Sequence, residues 1–483
     1  MRIAMVTEGT YPHVHGGVSV WCDQIVRGLP EHSFQLVALT GNGGEPCVWE
    51  LPGNLSSVVP IPLWGPPTPG RTPRGMVFNA ANESCELLID ALFEPYRRLA
   101  QASFVSGLQT WSRLAPTYRL DELLTSRPMV EWLLHRWAHD PLLGPAGGFE
   151  ERVRPSVSDA VVATRLMVHV LRPLSWQPPL VDVVHLVANG LAGLVGLSAK
   201  WRHRTPFLLS EHGIYLRERY LAFQDSPYSW PVRSLMLRFY RLLTSTVYRE
   251  AELVVPCNVY NQRWELRDGV ADHSVRTVYN GVDPSSYDVA EDEPTEPTLV
   301  WVGRVDPIKD LETLVRSFAL VVEEVPRARL RIFGGTPKGN EAYRDEMKQL
   351  AGDLGLFPAL SFEGRVDPAS DAYAVGHVVV LTSISEGFPY TVIEAMSSGC
   401  ATVSTDVGGV AEAVNTAGLV VPPRDPAAVA EACVKLLQDD QYRREMGKAA
   451  RNRVLELFTL DRSLDSFRQL YTSLVSHHEP VLR

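Results

Sequence analysis

At 483 residues the chain is too long for one typical core, so two domains of about 200 residues are expected; 45% hydrophobic and 21% charged residues describe an ordinary soluble globular protein. A formal net charge of −10 argues against a general nucleic-acid binder but leaves room for a local basic site facing a nucleoside diphosphate. The cysteines, Cys22, Cys47, Cys85, Cys257, Cys400 and Cys433, form no Cys-x-x-Cys pair and read as buried free thiols, the opening run Met1 to Thr7 is too short for a signal peptide, and no stretch of about 18 apolar residues could span a membrane, so a cytoplasmic protein is expected.

Taken in order, Arg2 to Thr7 reads as a strand. A loop from Glu8 to Gly17 follows, and then Val18, Trp21, Cys22, Ile25 and Leu29 recur at helical spacing. This is the first βα unit of a nucleotide-type α/β domain, in which ligands bind beyond the carboxyl ends of the strands. Gly16-Gly17 is either a plain tight turn or a place where backbone N–H groups approach a phosphate or sugar. Phe34 to Leu39 and Ser57 to Leu63 are further strands. From about 64 to 177 the pattern changes: Pro66-Pro67-Thr68-Pro69-Gly70 is a loop, and helical segments are expected over Ser84 to Phe104, Thr125 to His139 and Ser158 to Leu171. This helical insertion carries no catalytic spacing and fits an acceptor-side wall, a partner surface or plain packing.

The α/β pattern resumes at Leu180 to Val187, passes Asn189-Gly190 into a small-residue helix, and returns to a strand at Phe207 to Ser210. That strand ends in Glu211-His212-Gly213, so His212 lies where ligands bind in this architecture, though a His taken alone is more often structural. Val232 to Glu250 is a basic amphipathic helix with Arg233, Arg238, Arg241 and Arg249, suited to an anionic membrane surface or to packing on its own domain. Leu253 to Asn258 and Val275 to Tyr279 read as strands. The turn Asn280 to Asp283 and the acidic, Pro-bearing stretch Asp288 to Pro297 mark the domain boundary.

A second βα series opens with the strand Thr298 to Gly303. Arg304 and Lys309 flank the following turn, either as solvated cations or as a pair neutralising a diphosphate. Ala328 to Phe333 is a strand ending at Gly334-Gly335, and Leu360 to Glu363 leads to Gly364-Arg365-Val366. His377 to Thr382 reads as a buried strand, and Val392 to Met396 as a helix. Between them Glu386 and Glu394 flank a strand-to-helix turn, Gly387-Phe388-Pro389-Tyr390-Thr391, where backbone N–H groups around Gly387 to Tyr390 lie at a helix start and can face an anion. Gly399 to Ser404 and Leu419 to Pro423 complete the sheet, and Thr459 to Ser476 is helical.

Glu386-x7-Glu394 resembles the E-x7-E motif of family 4 retaining glycosyltransferases of the GT-B fold. Gly16-Gly17, His212, Arg304 and Lys309 follow that family's order. Glu8-Gly9-Thr10-Tyr11-Pro12 and Glu211 to Glu218 are similar to the Pel exopolysaccharide (PelF-type) subgroup. The resemblance implies an α/β GT-B protein: two Rossmann-like domains facing a central cleft, with a helical insertion in the first. The expected limits are 1–283 for the acceptor-side domain, 284–458 for the nucleotide-sugar domain, and 459–483 for a terminal helix crossing back.

The implied reaction moves a hexose, by subgroup resemblance glucose from UDP-glucose, to a growing glycan with retention, in exopolysaccharide synthesis. Arg304 and Lys309 would take the charge of the leaving diphosphate, Glu386 and His212 would hold the sugar, and Glu394 the ribose. The base would lie in the loop of Arg365 and Val366, with Gly16, Gly17, Gly334 and residues 387–391 completing the donor site. The chain contains no Asp-x-Asp, so no metal and no cofactor are expected. GDP-mannose or ADP-glucose as donor, and an inert subunit of a polysaccharide synthase complex, are the alternatives; Glu386-x7-Glu394 argues against a UDP-GlcNAc epimerase. Partnership with a membrane-embedded synthase or export complex, and a peripheral place at the inner membrane face, are left open. No nucleic-acid partner is expected.

Overall fold

The computed structural model describes residues 1–66, 69–143, 153–178, 180–289 and 293–478. Its strands form two six-stranded sheets in which every pairing is parallel. The first contains β1 (Arg2–Glu8), β2 (Ser33–Thr40), β3 (Leu55–Pro62), β4 (Val183–Leu186), β5 (Phe207–Glu211) and β6 (Leu253–Pro256). The second contains β7 (Thr298–Val302), β8 (Arg329–Phe333), β9 (Leu360–Gly364), β10 (Val378–Leu381), β11 (Ala401–Thr405) and β12 (Leu419–Val421).

The spatial orders are β3-β2-β1-β4-β5-β6 and β9-β8-β7-β10-β11-β12. Both are the doubly wound order in which the chain reverses direction across the sheet after its third strand, so each sheet has a switch point, β1/β4 in one and β7/β10 in the other. Central strands covered by helices on both faces must be apolar throughout. Ile3 to Val6 and Val378 to Leu381 accordingly are all buried. The two Rossmann-like domains and the helical insertion expected from the sequence are present.

The chain separates into two compact units: 1–256 with 264–276 and 468–483, and 257–263 with 277–467. The sequence reading places its limits at 283/284 and 458/459, by where motif series begin. Compactness follows what each segment packs on, so the helix Leu460–His478 has its first residues in the second unit and its last in the first.

Three expectations change. Ser84 to Phe104 is two helices, Gly75–Phe93 and Arg97–Leu114, because Pro95 has no N–H and pushes Glu94 out of the helical region, to φ −72° and ψ 119°. Their close approach needs Gly107, where a Cβ would stand 2.8 Å from the Leu88 Cγ. Val275 to Tyr279 is not a strand: Val275 makes one bridge to Val254, and the chain passes into the second unit two residues later. Cys47 is exposed in a polar loop, while the other five cysteines are buried, and none is paired.

The insertion helices do not form a separate core. Leu88, Phe104, Leu133 and Met167 share one cluster with sheet residues Val6, Val37 and Leu186. The basic helix Trp230–Glu250 packs on the same unit, with Phe239, Leu243 and Val247 fully buried and Arg238 paired to Asp140 at 2.6 Å, which favours the packing reading over a membrane surface. Among the described residues no helix is long and apolar enough to cross a membrane. Of the 66–70 loop and the 288–297 stretch, residues 67–68 and 290–292 lie outside the described residues, as do 144–152 of the insertion.

Candidate functional site

In the second unit the predicted residues gather at the β7/β10 switch point. The turn after β7 is tied to the turn after β10 by Ile384 N–H donating to the Ile308 carbonyl at 2.9 Å and by Thr382 Oγ1 donating to the Lys309 carbonyl at 2.9 Å. This brings Lys309 Nζ to 2.5 Å from Glu386 Oε1, an ion pair whose side chains are only 17% and 11% exposed. Ser383 Oγ donates to the same Oε1 at 2.6 Å. Lys309 is thus held by a carboxylate, whereas Arg304 is exposed and pairs with no described residue.

The 386–389 turn is braced from behind. Its Gly387 carbonyl accepts from Gly409 N–H at 2.8 Å and from Asn258 Nδ2 at 3.0 Å, and the Phe388 carbonyl accepts from Asn280 Nδ2 at 3.3 Å. Phe388 itself is buried between Tyr279 and Phe458, with ring centroids 5.3 and 5.2 Å away, and Pro389 is buried too. Only their backbone is left to meet a ligand. The N–H groups of Gly387, Phe388 and Thr391 donate to no described acceptor, at the start of the helix Tyr390–Ser397. Gly408 makes the bracing possible: its φ is +57°, and a Cβ there would lie 1.8 Å from the Glu386 carbonyl oxygen.

Glu394 sits on that helix with its carboxylate already accepting from Tyr373 at 2.6 Å and also from Tyr287. Burial raises its pKa, and the two hydroxyls oppose that rise. A carboxylate has about four lone-pair sites, so capacity remains for a ribose hydroxyl. Gly334 lies where β7, β8 and β9 end: its φ is +143°, its N–H donates to the Gly364 carbonyl at 2.7 Å, and a Cβ would overlap the Gly303 carbonyl. Arg365 is exposed and Val366 half-buried beside it.

Gly16, Gly17 and His212 belong to the first unit and lie beyond β1 and β5. Gly16 caps the helix Gly17–Gly28 in an extended conformation, and a Cβ there would meet nothing within 4 Å. Neither backbone nor packing demands glycine at that position. His212 stands edge-on to Trp21, centroids 4.6 Å apart, and burial pushes its pKa down to about 4. It is therefore a neutral imidazole near pH 7, able to donate one hydrogen bond and accept one. It lines a cavity of about 150 Å³ with Glu8, Thr10, Asn189, Glu218 and Arg219. Thr10 Oγ1 and Arg219 Nε are buried there without a partner among the described residues, and burial raises Glu8 to about 7.

Sequence reasoning missed Asn258, Asn280, Ser383, Tyr373 and Gly408. The Gly408-Gly409 pair following β11 carries a local turn signal. Nothing in sequence spacing ties Asn258 or Asn280 to a carbonyl more than a hundred residues later.

Residues 1–273 match the family model described as "Domain of unknown function (DUF3492)", and residues 296–439 match "Glycosyl transferases group 1". D-inositol 3-phosphate glycosyltransferase of Nocardia farcinica is 29% identical over 325 residues, 64% of this chain and 69% of that protein. N-acetyl-alpha-D-glucosaminyl L-malate synthase of Bacillus anthracis is 26% identical, over 41% of this chain and 53% of its own length. Sulfoquinovosyl transferase SQD2 of Arabidopsis thaliana is 28% identical, over 56% and 52%. The chain thus spans from about half to about two thirds of these relatives. Among solved structures, sucrose-phosphate synthase of Thermosynechococcus elongatus aligns over 99% of both chains with TM-score 0.64 and 19% identity. Anabaena HepE, solved with UDP, aligns over 98% of this chain and 100% of its own with TM-score 0.64 and 15% identity. The fold is GT-B, and the chain belongs to the DUF3492 family, with residues 296–439 similar to group 1 glycosyl transferases.

Proposed function

We propose that the protein is a retaining glycosyltransferase that moves a hexose, glucose in the leading reading, from a UDP-sugar to a growing exopolysaccharide chain. The observation that carries this is the Lys309–Glu386 pair beside the undonated N–H groups of Gly387, Phe388 and Thr391 at a doubly wound switch point. A cation next to free backbone donors suits a diphosphate, and a carboxylate next to them suits a sugar hydroxyl.

In this reading the diphosphate takes the N–H groups, Lys309 and Arg304. Both bonds accepted by Glu386 go to Oε1, so Oε2 is open to the donor sugar. As the C1–oxygen bond to the diphosphate breaks, the two cations stabilise the leaving charge; one such preorganised group is worth about 3 kcal/mol, or a hundredfold or more in rate. The acceptor hydroxyl forms the new C1–oxygen bond, and its proton passes to the departing diphosphate. The first-unit cavity, with unpaired donors at Thr10 and Arg219 and neutral His212, suits the hydroxyls of a sugar ring. Solved HepE holds UDP, and the relatives named above are sugar transferases, which supports a nucleotide-sugar donor.

The test is turnover of UDP-glucose, GDP-mannose and ADP-glucose by wild type and by Glu386→Ala, with the product anomer read by proton NMR. UDP-glucose turnover with retention, abolished in Glu386→Ala, is expected. Inversion, or near-normal turnover in the variant, would overturn the assignment.

A further inference from the structure

Two buried glutamates meet inside the first unit. Glu211, the last residue of β5, is 1% exposed, and Glu265, on the helix Val259–Asp268, is 0% exposed. Glu211 is fully engaged: Oε1 accepts from Tyr215 N–H at 3.0 Å, and Oε2 accepts from the Tyr248 hydroxyl at 2.5 Å. Glu265 is not. Both its oxygens are buried and receive no hydrogen bond from any described N–H or O–H, and its carboxyl lies against that of Glu211.

Two ionised carboxylates in contact in an apolar interior would repel, and one of them would be unsolvated. A single proton relieves both problems, because a neutral Glu265 has an O–H to donate and Glu211 supplies the oxygen. Of the groups facing the pair, Glu218 on the helix Tyr215–Gln224 and Asp268 on the Glu265 helix make the proton harder to lose, whereas the Tyr248 hydroxyl on the helix Trp230–Glu250, itself bonded to Asn189, and the Tyr215 N–H favour the ionised form of Glu211. Burial and this surrounding negative charge hold both glutamates above the ordinary carboxylate range.

We propose that Glu265 and Glu211 share one proton, and that the pair is the positioning element for His212. Glu211 closes the turn from 211 to 215 onto the first N–H of the following helix and anchors it to Tyr248. His212 lies in that turn. Loss of the shared proton sets two negative charges against each other behind it and moves the imidazole. The inference rests on the reading that His212 holds a sugar, but the proton itself can be detected without substrate.

The experiment compares the full-length wild type with Glu265→Gln and Glu265→Ala. Infrared difference spectra at pH 7, wild type minus Glu265→Gln, should show the carbonyl stretch of a protonated carboxylic acid. Its absence would overturn the shared proton. With UDP-glucose as probe, wild-type kcat/KM should fall on the alkaline side. Glu265→Gln, whose amide donates without titrating, should keep near-wild-type activity at pH 7 and lose that alkaline limb. Glu265→Ala, which removes the shared proton and the packing behind the 211–215 turn, should lose about tenfold in kcat/KM, as a small displacement of a positioned group costs, with UDP affinity unchanged. An infrared band together with an unaltered alkaline limb in Glu265→Gln would overturn the positioning role. Failure of UDP to bind wild type would instead count against the glycosyltransferase reading and leave the infrared result standing.

Discussion

Gly408→Ala is a one-methyl change whose effect can be worked from the geometry. The added Cβ would stand 1.8 Å from the Glu386 carbonyl oxygen and 2.8 Å from its carbon, where real Cβ contacts essentially never fall below 3.0 Å. The turn carrying Glu386 must therefore recede by at least 1.2 Å, the difference between 3.0 and 1.8 Å. The φ of +57° adds about 1–2 kcal/mol of strain for any residue with a Cβ. The obstacle is backbone, so no side-chain rotation relieves it. Lys309 and Ser383 hold the same Glu386, and a displacement of about 1 Å in a catalytic group typically costs about a hundredfold in rate. Steady-state turnover of UDP-glucose should fall about a hundredfold while circular dichroism stays native. A folded Gly408→Ala protein with wild-type turnover would refute the claim that this contact sets the position of Glu386.

Lys309→Ala leaves Glu386 half-buried without its cation, so transfer should fall a hundredfold or more in a turnover assay, whereas Lys309→Arg should recover part of the loss. Gly107→Val drives a branched side chain into Leu88 and the Ser84 carbonyl, and thermal melting should report about 1–3 kcal/mol of destabilisation with UDP affinity unchanged. Buried His185 and His212 have pKa values lowered to about 3 and about 4. Their contribution to stability is therefore complete above the unfolded value of about 6.5 and is lost as pH falls from there through about 4 for His212 and about 3 for His185. Denaturant titrations should show that decline, and His185→Gln should reduce it. For the raised Glu265 the sign is opposite: its contribution is present at low pH and is lost as pH rises through the folded value.

The repeating βα pattern made both sheets legible, because central parallel strands are apolar throughout and their loops carry glycine and charge. Glu386, Lys309 and Arg304 stood out as polar residues at strand ends only once Glu386-x7-Glu394 was set beside the family motif it resembles. Their state was not legible. That Lys309 is occupied by Glu386 depends on the two turns being tied by Ile384 and Thr382, while Arg304 pairs with none of the described residues. The break at Pro95 was written in the sequence but was outweighed by an otherwise continuous helical pattern. The Glu211–Glu265 contact joins residues 54 positions apart on a strand and a helix, and local spacing gives no sign of it.

Arg304, Lys309 and the backbone of residues 387–391 are together assigned to a diphosphate. The most direct test of that assignment is calorimetric titration of UDP into wild type and Arg304→Ala in EDTA. Wild type should bind UDP without metal, and the variant should bind it at least tenfold more weakly. Equal affinity in the two proteins, or no binding until a divalent cation is added, would contradict the assignment.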